Sequence, residues 1–247
     1  MKYLYMNPQQ IRDAIRRNIP AVLPLGVVEY HGEHLPVGVD FFVCERVLGM
    51  VEQERPDDVV LLPPFYYGTA SYAVASPKNN GTVTVSPEKL IPVAEEIFRG
   101  LLDVGFRNIH CFIAHQTEEF EQGMPTDLAF RFAGRKVIFE YLDKTVGQGW
   151  WGKEEYANYY SGSQNPFHYI QVHPVRTRDC TKKRFPGDHA GRLETSEMLA
   201  ISPESVNMDK IDDSLWFCRA AHQATAEYGA DALKETAIDV RKVLFGE

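Results

Sequence analysis

The segment AVLPLGVVEYHGEHLPVGVD, residues 21–40, joins a short apolar run to a cluster of polar side chains. Its first eight residues are almost entirely apolar, which is typical of a strand buried on both faces of a parallel sheet. The twelve that follow contain two histidines, two glutamates and one aspartate. Three interpretations of this polar cluster are open: a metal site, a proton-transfer site or a solvated loop.

Similar apolar runs recur along the chain, at VVLLPPF (59–65), IHCFIA (109–114) and VIFEYL (137–142). Helical patterns lie between and beside them, at residues 7–18, 41–54, 86–105 and 124–134. Short apolar strands that alternate with helices favour a parallel sheet covered on both faces. We therefore predict an α/β fold: a three-layer α/β/α sandwich with a mainly parallel central sheet, built as one domain over residues 1–247.

Two stretches depart from this alternation. Residues 145–187 are rich in aromatic side chains, glycine and asparagine. We predict an irregular excursion there, either a lid or subunit contact or a segment packed on its own domain. Its Trp150, Trp151 and Phe167 would either close over a flat substrate or serve packing and subunit contact. From residue 213 onward the pattern predicts a long amphipathic helix with a possible break at Gly229.

Composition excludes several classes of protein. The net charge is −8 and the pI about 5.5, without a Lys/Arg stripe, so no nucleic-acid partner is expected. The four cysteines form no CxxC pair, which argues against a zinc ribbon or a disulfide framework and indicates reduced thiols. Because no segment approaches the ~20 apolar residues of a membrane span, we expect a soluble, cytoplasmic protein with no membrane partner.

Polar side chains follow two of the predicted strands. Glu29 and His31 come after the first strand and project to the same side of an extended segment, while His115 follows the strand 109–114. Ligands of open parallel sheets bind beyond the carboxyl ends of the strands, so these groups should meet at one sheet edge. Asp40 would either cap the helix that begins beside it or direct its carboxylate into the site.

A second polar cluster is PGDHAGRLETSEML, residues 186–199. His189 lies in a turn flanked by glycines, and Glu194 falls in the first turns of a short predicted helix. An ordinary structural role is also open here: Asp188 or Thr195 would serve as a helix cap, and Glu194 would be solvated.

Together these segments resemble the creatininase (creatinine amidohydrolase) family. LPLGVVEYHGEHLPVGVD is similar to its Glu-x-His-Gly-x-His-Leu-Pro signature and the following Asp, and GDHAGRLETSEML to its His-Ala-Gly…Glu-Thr-Ser segment. YYG…NNGTVTVSPE (66–88) and IAHQTEEF (113–120) occupy the positions of two further family segments, in family order. The resemblance implies an α/β sandwich, two divalent metals per subunit (zinc, manganese or iron) and a homo-oligomer, commonly a hexamer. Family members hydrolyse non-peptide C–N bonds.

Carried over by motif position, the resemblance implies a ligand set. Glu29 and His115 would bind one metal and His31 the other, with Asp40 bridging them and Glu194 completing the second site. Three carboxylates and a bridging hydroxide would balance two divalent ions. That hydroxide would attack the amide carbon.

Four further residues receive supporting roles. His189 is the predicted proton shuttle to the leaving nitrogen, with Asp188 as its orienting partner. His34 and Glu33 would hold the ligands in place.

The loop after His115 departs from the family pattern. Thr117 stands where creatininase has a ligand glutamate. Glu118 or Glu119 would replace it only with a shifted backbone, so Glu194 is the preferred ligand. The predicted function is a metal-dependent hydrolase of a small amide, cyclic amide or formamide, with the substrate's identity open. The alternatives are a metallopeptidase that trims a modified peptide and a catalytically silent binding protein.

Overall fold

The computed structural model describes residues 1–115, 125–158 and 165–247. Four strands form one sheet in the order β2-β1-β3-β4, and each pairing is parallel: β1 (Ala21–Leu25), β2 (Val60–Leu61), β3 (Ile109–Ile113) and β4 (Ile170–Pro174). Every residue of β1 and β3 is buried. Such strands need cover on both faces, which explains their unbroken apolar sequence.

Seven α-helices lie among the described residues: α1 (Pro8–Arg16), α2 (Val39–Glu54), α3 (Pro87–Val104), α4 (Pro125–Thr145), α5 (Asp179–Arg184), α6 (Arg192–Ile201) and α7 (Ala226–Phe245). One face of the sheet packs against α1, α3 and α4, through strand residues such as Leu23 and Cys111. The opposite face packs against α2, α6 and α7, through Val22 and Phe112. The predicted α/β/α sandwich is therefore confirmed.

One predicted strand is wrong. Residues 137–142 belong to α4, which continues to Thr145. Within this run Val137, Ile138 and Leu142 are buried whereas Phe139 and Glu140 are exposed, a spacing of three to four residues that suits a helix. Gly134, the last residue of the predicted helical pattern, lies inside α4 instead of ending it, and the β-branched and aromatic residues of the run are incorporated into the helix.

The irregular excursion contains more regular structure than its sequence predicts. It supplies the fourth strand, β4, and the short helix α5, while residues 159–164 lie outside the described part. Trp150 is buried and its ring contacts those of Phe139, Tyr156 and Phe167. Trp150 is therefore part of the hydrophobic core beside α3 and α4, which agrees with the predicted packing role and not with closure over a substrate.

The C-terminal region is not one long helix. A 3₁₀ turn at Arg219–Gln223 precedes α7, whose N-terminus is capped by Thr225 Oγ1 accepting from Tyr228 N at 3.1 Å. α7 runs through Gly229 without a break. A Cβ at Gly229 would lie 1.9 Å from the carbonyl oxygen of Ser196, so the glycine lets α7 approach the backbone of α6. Within the described residues, no helix combines the length and apolarity that a bilayer crossing requires.

Candidate metal centre

Four elements deliver polar side chains to the carboxyl edge of the sheet. β1 and β3 are neighbours with Leu25 opposite Ile113, so the segments that leave them emerge side by side. Glu29 lies beyond β1 and His115 beyond β3, while Asp40 and Glu194 occupy the first turns of α2 and α6. All but Glu194 are buried, and its side chain is only 12% exposed.

Hydrogen bonds hold the segment between Glu29 and Asp40 in its path. Glu29 N donates to Val37 O at 3.0 Å, and Tyr30 N donates to Thr82 Oγ1 at 2.9 Å. Gly32 has φ of +76° and allows the sharp turn after His31. These contacts fix the backbone, so the ligand candidates have little freedom to move apart.

The side chains form three overlapping groups, in each of which the ligand-type atoms lie within 4.8 Å of one another: Glu29–Asp40–His115, His31–Asp40–Glu194 and Glu29–His31–His189. In the first, His115 Nδ1 lies 3.5 Å from Glu29 Oε2 and 3.4 Å from Asp40 Oδ2. In the second, His31 Nε2 lies 3.8 Å from Asp40 Oδ2 and 3.5 Å from Glu194 Oε2. Asp40 belongs to both.

These spacings suit cation binding better than direct hydrogen bonding. Both carboxylate oxygens of Glu29, Asp40 Oδ2 and His31 Nε2 are buried without a hydrogen-bond partner. Buried polar atoms are rarely left so. Ligand atoms about 2.1 Å from a tetrahedral zinc lie about 3.4 Å from each other, close to the distances found here. The residues therefore fit divalent ions bound by oxygen and nitrogen.

The histidine tautomers are set by backbone carbonyls, which can only accept. His31 Nδ1 donates to Glu29 O at 2.9 Å, so the Nε2 lone pair is directed toward Asp40 and Glu194. His189 Nε2 donates to Tyr30 O at 3.0 Å, which leaves a lone pair on Nδ1, 3.9 Å from Glu29 Oε2. Both rings thus present a basic nitrogen to the cluster.

The crowding of acids disfavours their ionisation when no cation is bound. Burial raises the pKa of Glu29 to about 7, with a smaller contribution from Asp40. Burial, then the charges of Asp40 and Asp188, raises the pKa of Glu194 well above its ordinary value. Divalent ions would supply the missing positive charge and favour the ionised carboxylates.

Burial lowers the pKa of the imidazoles, whereas it raises the pKa of the carboxyl groups. Burial lowers the pKa of His31, and burial with the adjacent His31 lowers that of His189 to about 4. For Asp40, burial acts to raise the pKa, but His115 and His31 outweigh it and lower the pKa overall. The site therefore favours a carboxylate at Asp40 and neutral imidazoles at His31 and His189, the protonation states that ligands require.

The supporting residues take definite places. Asp188 accepts from Leu193 N at 2.7 Å and Glu194 N at 3.2 Å, so both of its oxygens hold the first turn of α6, as the capping alternative predicts. His34 is buried, with Nε2 3.0 Å from Thr195 Oγ1. Glu33 is exposed and accepts from Tyr30 Oη at 2.9 Å. Gln116, Thr117, Glu118 and Glu119 lie outside the described residues, so the choice among those glutamates stays a prediction.

Sequence reasoning missed a buried ion pair beside the cluster. Arg176 follows β4 and pairs with Glu197, and both side chains are almost fully buried. Glu197 lies one helical turn after Glu194 on α6, a spacing visible in the sequence. Arg176 carries no such signal, because the partly polar, partly buried sequence of β4 does not predict a strand.

Comparison with known proteins identifies relatives over most of the chain. A family model described as "Creatininase: Creatinine amidohydrolase" matches residues 5–238. Creatinine amidohydrolase of Pseudomonas putida is 25% identical over 201 residues, which cover 78% of this chain and 68% of that protein. The 3-dehydro-scyllo-inosose hydrolase of Thermotoga maritima is 26% identical over 205 residues, 83% of this chain but 57% of the relative, less than two thirds of its length.

Solved structures share the fold. A creatinine amidohydrolase (creatininase) superposes with a TM-score of 0.71 at 17% identity, over 98% of this chain and 95% of that one. A manganese form of creatininase gives 0.70 at 18% identity, over 99% and 98%. A creatininase variant described as Zn-Zn type also gives 0.70, at 16% identity and the same coverage.

Proposed function

The chain belongs to the creatininase family, and from this premise we propose that it is a dinuclear metal-dependent hydrolase of a non-peptide C–N bond. The substrate class is a small amide, cyclic amide or formamide. Family membership and the name of the Pseudomonas putida relative support this class.

One observation carries the proposal: two three-residue groups share the carboxylate of Asp40. We assign Glu29 and His115 to one ion and His31 and Glu194 to the other, with Asp40 between them. The distances of 3.4–3.8 Å from Asp40 Oδ2 to the two histidines support a shared ligand.

The donor set suits zinc, manganese or iron, because it combines carboxylates and imidazoles without a thiolate. The manganese and Zn-Zn forms among structurally similar proteins support the same choice. When bound, such ions supply a Lewis acid for the carbonyl oxygen and make a coordinated water more acidic.

His189 is the proposed proton carrier. Its Nε2–H is held by the carbonyl oxygen of Tyr30, so Nδ1 is the atom that accepts a proton and passes it to the leaving nitrogen. A pKa lowered to about 4 keeps the ring neutral at pH 7, so Nδ1 carries a lone pair. Asp188 orients this turn indirectly, by tying residues 188–191 to the start of α6.

A second candidate reaction is hydrolysis of a C–C bond beside a ketone in a small cyclic substrate, where a second carbonyl group takes up the released electron pair as an enolate that is then protonated. The similarity to 3-dehydro-scyllo-inosose hydrolase favours it. The same metal centre would serve, since it acts on a carbonyl carbon in either case.

The test combines metal analysis with turnover. The chain is stripped with chelator, reloaded separately with Zn²⁺, Mn²⁺ and Fe²⁺, and assayed on formamides, lactams, creatinine, short peptides and 3-dehydro-scyllo-inosose. We expect about two ions per chain, as dinuclear hydrolases bind, and turnover of an amide or cyclic amide only after loading.

Asp40→Asn should lose both ions and the activity together, because it removes the shared ligand. Glu45→Gln is the matched control, since Glu45 is an exposed carboxylate on the same helix. Hydrolysis by the stripped chain, or full activity in Asp40→Asn, would overturn the proposal. Cleavage of peptides alone would favour a metallopeptidase instead.

A further inference from the structure

A row of four aromatic rings leads from the metal centre to solvent. The rings of His31 and His189 have centroids 4.4 Å apart, those of His189 and Phe217 are 5.1 Å apart, and those of Phe217 and Trp216 are 5.9 Å apart. Exposure rises along this row, from 0% for the His31 side chain to 15% for His189 and 77% for Trp216. The row therefore marks a path between the buried ligands and the surface.

The segment that carries Trp216 and Phe217 is fixed by its own hydrogen bonds. Leu215 N donates to Asp212 O and Cys218 N donates to Leu215 O, each at 3.0 Å. Cys218 is fully buried beside the metal-binding segment, since a Cβ at Gly32 would lie 2.9 Å from its Sγ. The backbone is anchored while the indole of Trp216 extends into solvent.

The exposed indole of Trp216 is available to bind another molecule. A large aromatic side chain gains most from burial, and a 77% exposed tryptophan two ring contacts away from His189 is an unusual arrangement. Trp150 is buried and Trp151, 53% exposed, neighbours it in the excursion on the α3–α4 side of the sheet. Among the described residues, the ring contacts of Trp216 lead through Phe217 and His189 to His31.

We infer that Trp216 and Phe217 form an aromatic wall at the substrate entrance, and that the substrate presents a flat, unsaturated ring to it. This inference rests on the proposed function. Phe217 contacts His189, the proposed proton carrier, so a ring held against this wall would place its adjoining carbonyl near the cluster. Flat rings stack on indole faces, which saturated or branched acyl groups do less well. Trp216 and Phe217 are thus proposed determinants of specificity.

The experiment compares Trp216→Ala and Trp216→Phe with the unmodified chain, loaded with the same metal. The substrates are flat cyclic amides (creatinine, hydantoin) and acyclic N-methylformamide. We expect Trp216→Ala to raise KM for the ring amides about tenfold, the change that corresponds to loss of one stacked pair worth about 1.4 kcal/mol. The kcat, the bound metal and the KM for N-methylformamide should stay within twofold, and Trp216→Phe should restore most of the affinity.

Trp151→Phe is the matched control, because it removes another exposed indole. It also leaves Trp216 as the only exposed tryptophan, so creatinine or hydantoin should quench the fluorescence of this variant but not that of Trp216→Phe. Equal KM changes for ring and acyclic substrates would overturn the inference. So would unchanged kinetics with a loss of oligomeric state on gel filtration, which would assign Trp216 to contact with a second copy.

The two proposals fail in different ways. If ring amides quench Trp216 yet nothing is hydrolysed, the aromatic wall stands and the proposed function fails. If amides are hydrolysed but Trp216→Ala leaves every KM unchanged, the function stands and the wall fails.

Discussion

The carboxylate oxygen Oδ2 of Asp40 lies 3.4 Å from Nδ1 of His115, although one begins a helix and the other follows a strand. The same oxygen is 3.8 Å from Nε2 of His31. Asp40 is thus the only residue common to the groups that contain His115 and Glu194. His115 and Glu194 each belong to one of these groups, so mutation of either should affect one proposed ion site and leave the other.

Removal of one distal ligand should release one ion. We expect His115→Gln and Glu194→Gln each to lower the metal content from about two ions per chain to about one, and the double variant to bind almost none, because each residue serves a different site. Inductively coupled plasma mass spectrometry after gel filtration measures this. His222→Gln and Glu204→Gln, at exposed surface positions, are the controls. Full retention of both ions in either ligand variant would contradict the assignment.

In the metal-free chain, the contribution of Glu29 to stability should fall as the pH rises. The Glu29 carboxyl has an ordinary pKa of 4.5 and a folded-state pKa of about 7. Between these values the unfolded chain is ionised and the folded chain is protonated, so this group costs the folded state about 1 kcal/mol per pH unit. Glu29→Gln should remove that cost, and its stabilising effect should grow from pH 5 to pH 7 in urea unfolding with chelator present.

With saturating zinc the sign should reverse, because Glu29→Gln then removes a proposed ligand. Bound metal stabilises the folded chain by about 2.7 kcal/mol at a concentration a hundred times its Kd. A difference between Glu29→Gln and the original chain that did not vary with pH in chelator would refute the pKa argument.

The buried pair of Arg176 and Glu197 should be sensitive to loss of one partner. Arg176→Met leaves the Glu197 carboxylate without its counter-charge, and we expect a loss of about 3–5 kcal/mol in the free energy of unfolding. The double variant Arg176→Met/Glu197→Leu should lose less, since neither charge then stays buried. Arg16→Met, which removes a surface pair with Asp13, is the control and should cost under about 1 kcal/mol. Guanidinium chloride unfolding distinguishes these outcomes. A double variant with a lower free energy of unfolding than Arg176→Met would count against the argument.

Gly229→Ala should destabilise the α6–α7 contact. The added Cβ would meet Ser196 O at 1.9 Å and Glu197 N at 2.6 Å, and these backbone atoms can yield only if α6 moves. We expect a loss of about 3 kcal/mol or more, in the range of overpacked or strained sites, together with weaker metal binding because α6 carries Glu194. Gly100→Ala, in α3 with nothing within 4 Å, should instead gain about 0.5–1 kcal/mol. Thermal unfolding of both variants provides the comparison, and equal behaviour would disprove the packing role.

Sequence periodicity was sufficient for the fold class but not for every element. The fully buried strands β1 and β3 stand out because their apolar runs are short and bounded by turns. The run 137–142 is also rich in apolar residues, yet it continues a helix, because apolar composition alone cannot separate a buried strand from the buried face of a helix. β4, with the sequence IQVHP, lies at the sheet edge and is only partly buried, so its apolar signal is weak.

The proposed site was more predictable than the elements around it. Glu29, His31 and His115 follow from the rule that parallel strands end at one edge, and the two strands involved are those that sequence identifies well. The partner of Tyr30 N, Thr82, and the ring contact of Phe217 with His189 depend on segments folding back across the surface. No local pattern encodes such contacts.

Each of the two ion groups draws two members from residues 29–40 and one from a distant segment, His115 or Glu194. Bound cations would therefore act as cross-links, one tying the N-terminal strand segment to β3 and the other tying it to α6. Like disulfides, such links close long loops that are entropically costly to bring together. An intermediate in which only residues 29–40 had formed would hold at most two of the three ligands of either ion. Tight binding of the cations would therefore indicate that residues 29–40 have already met both the segment after β3 and helix α6.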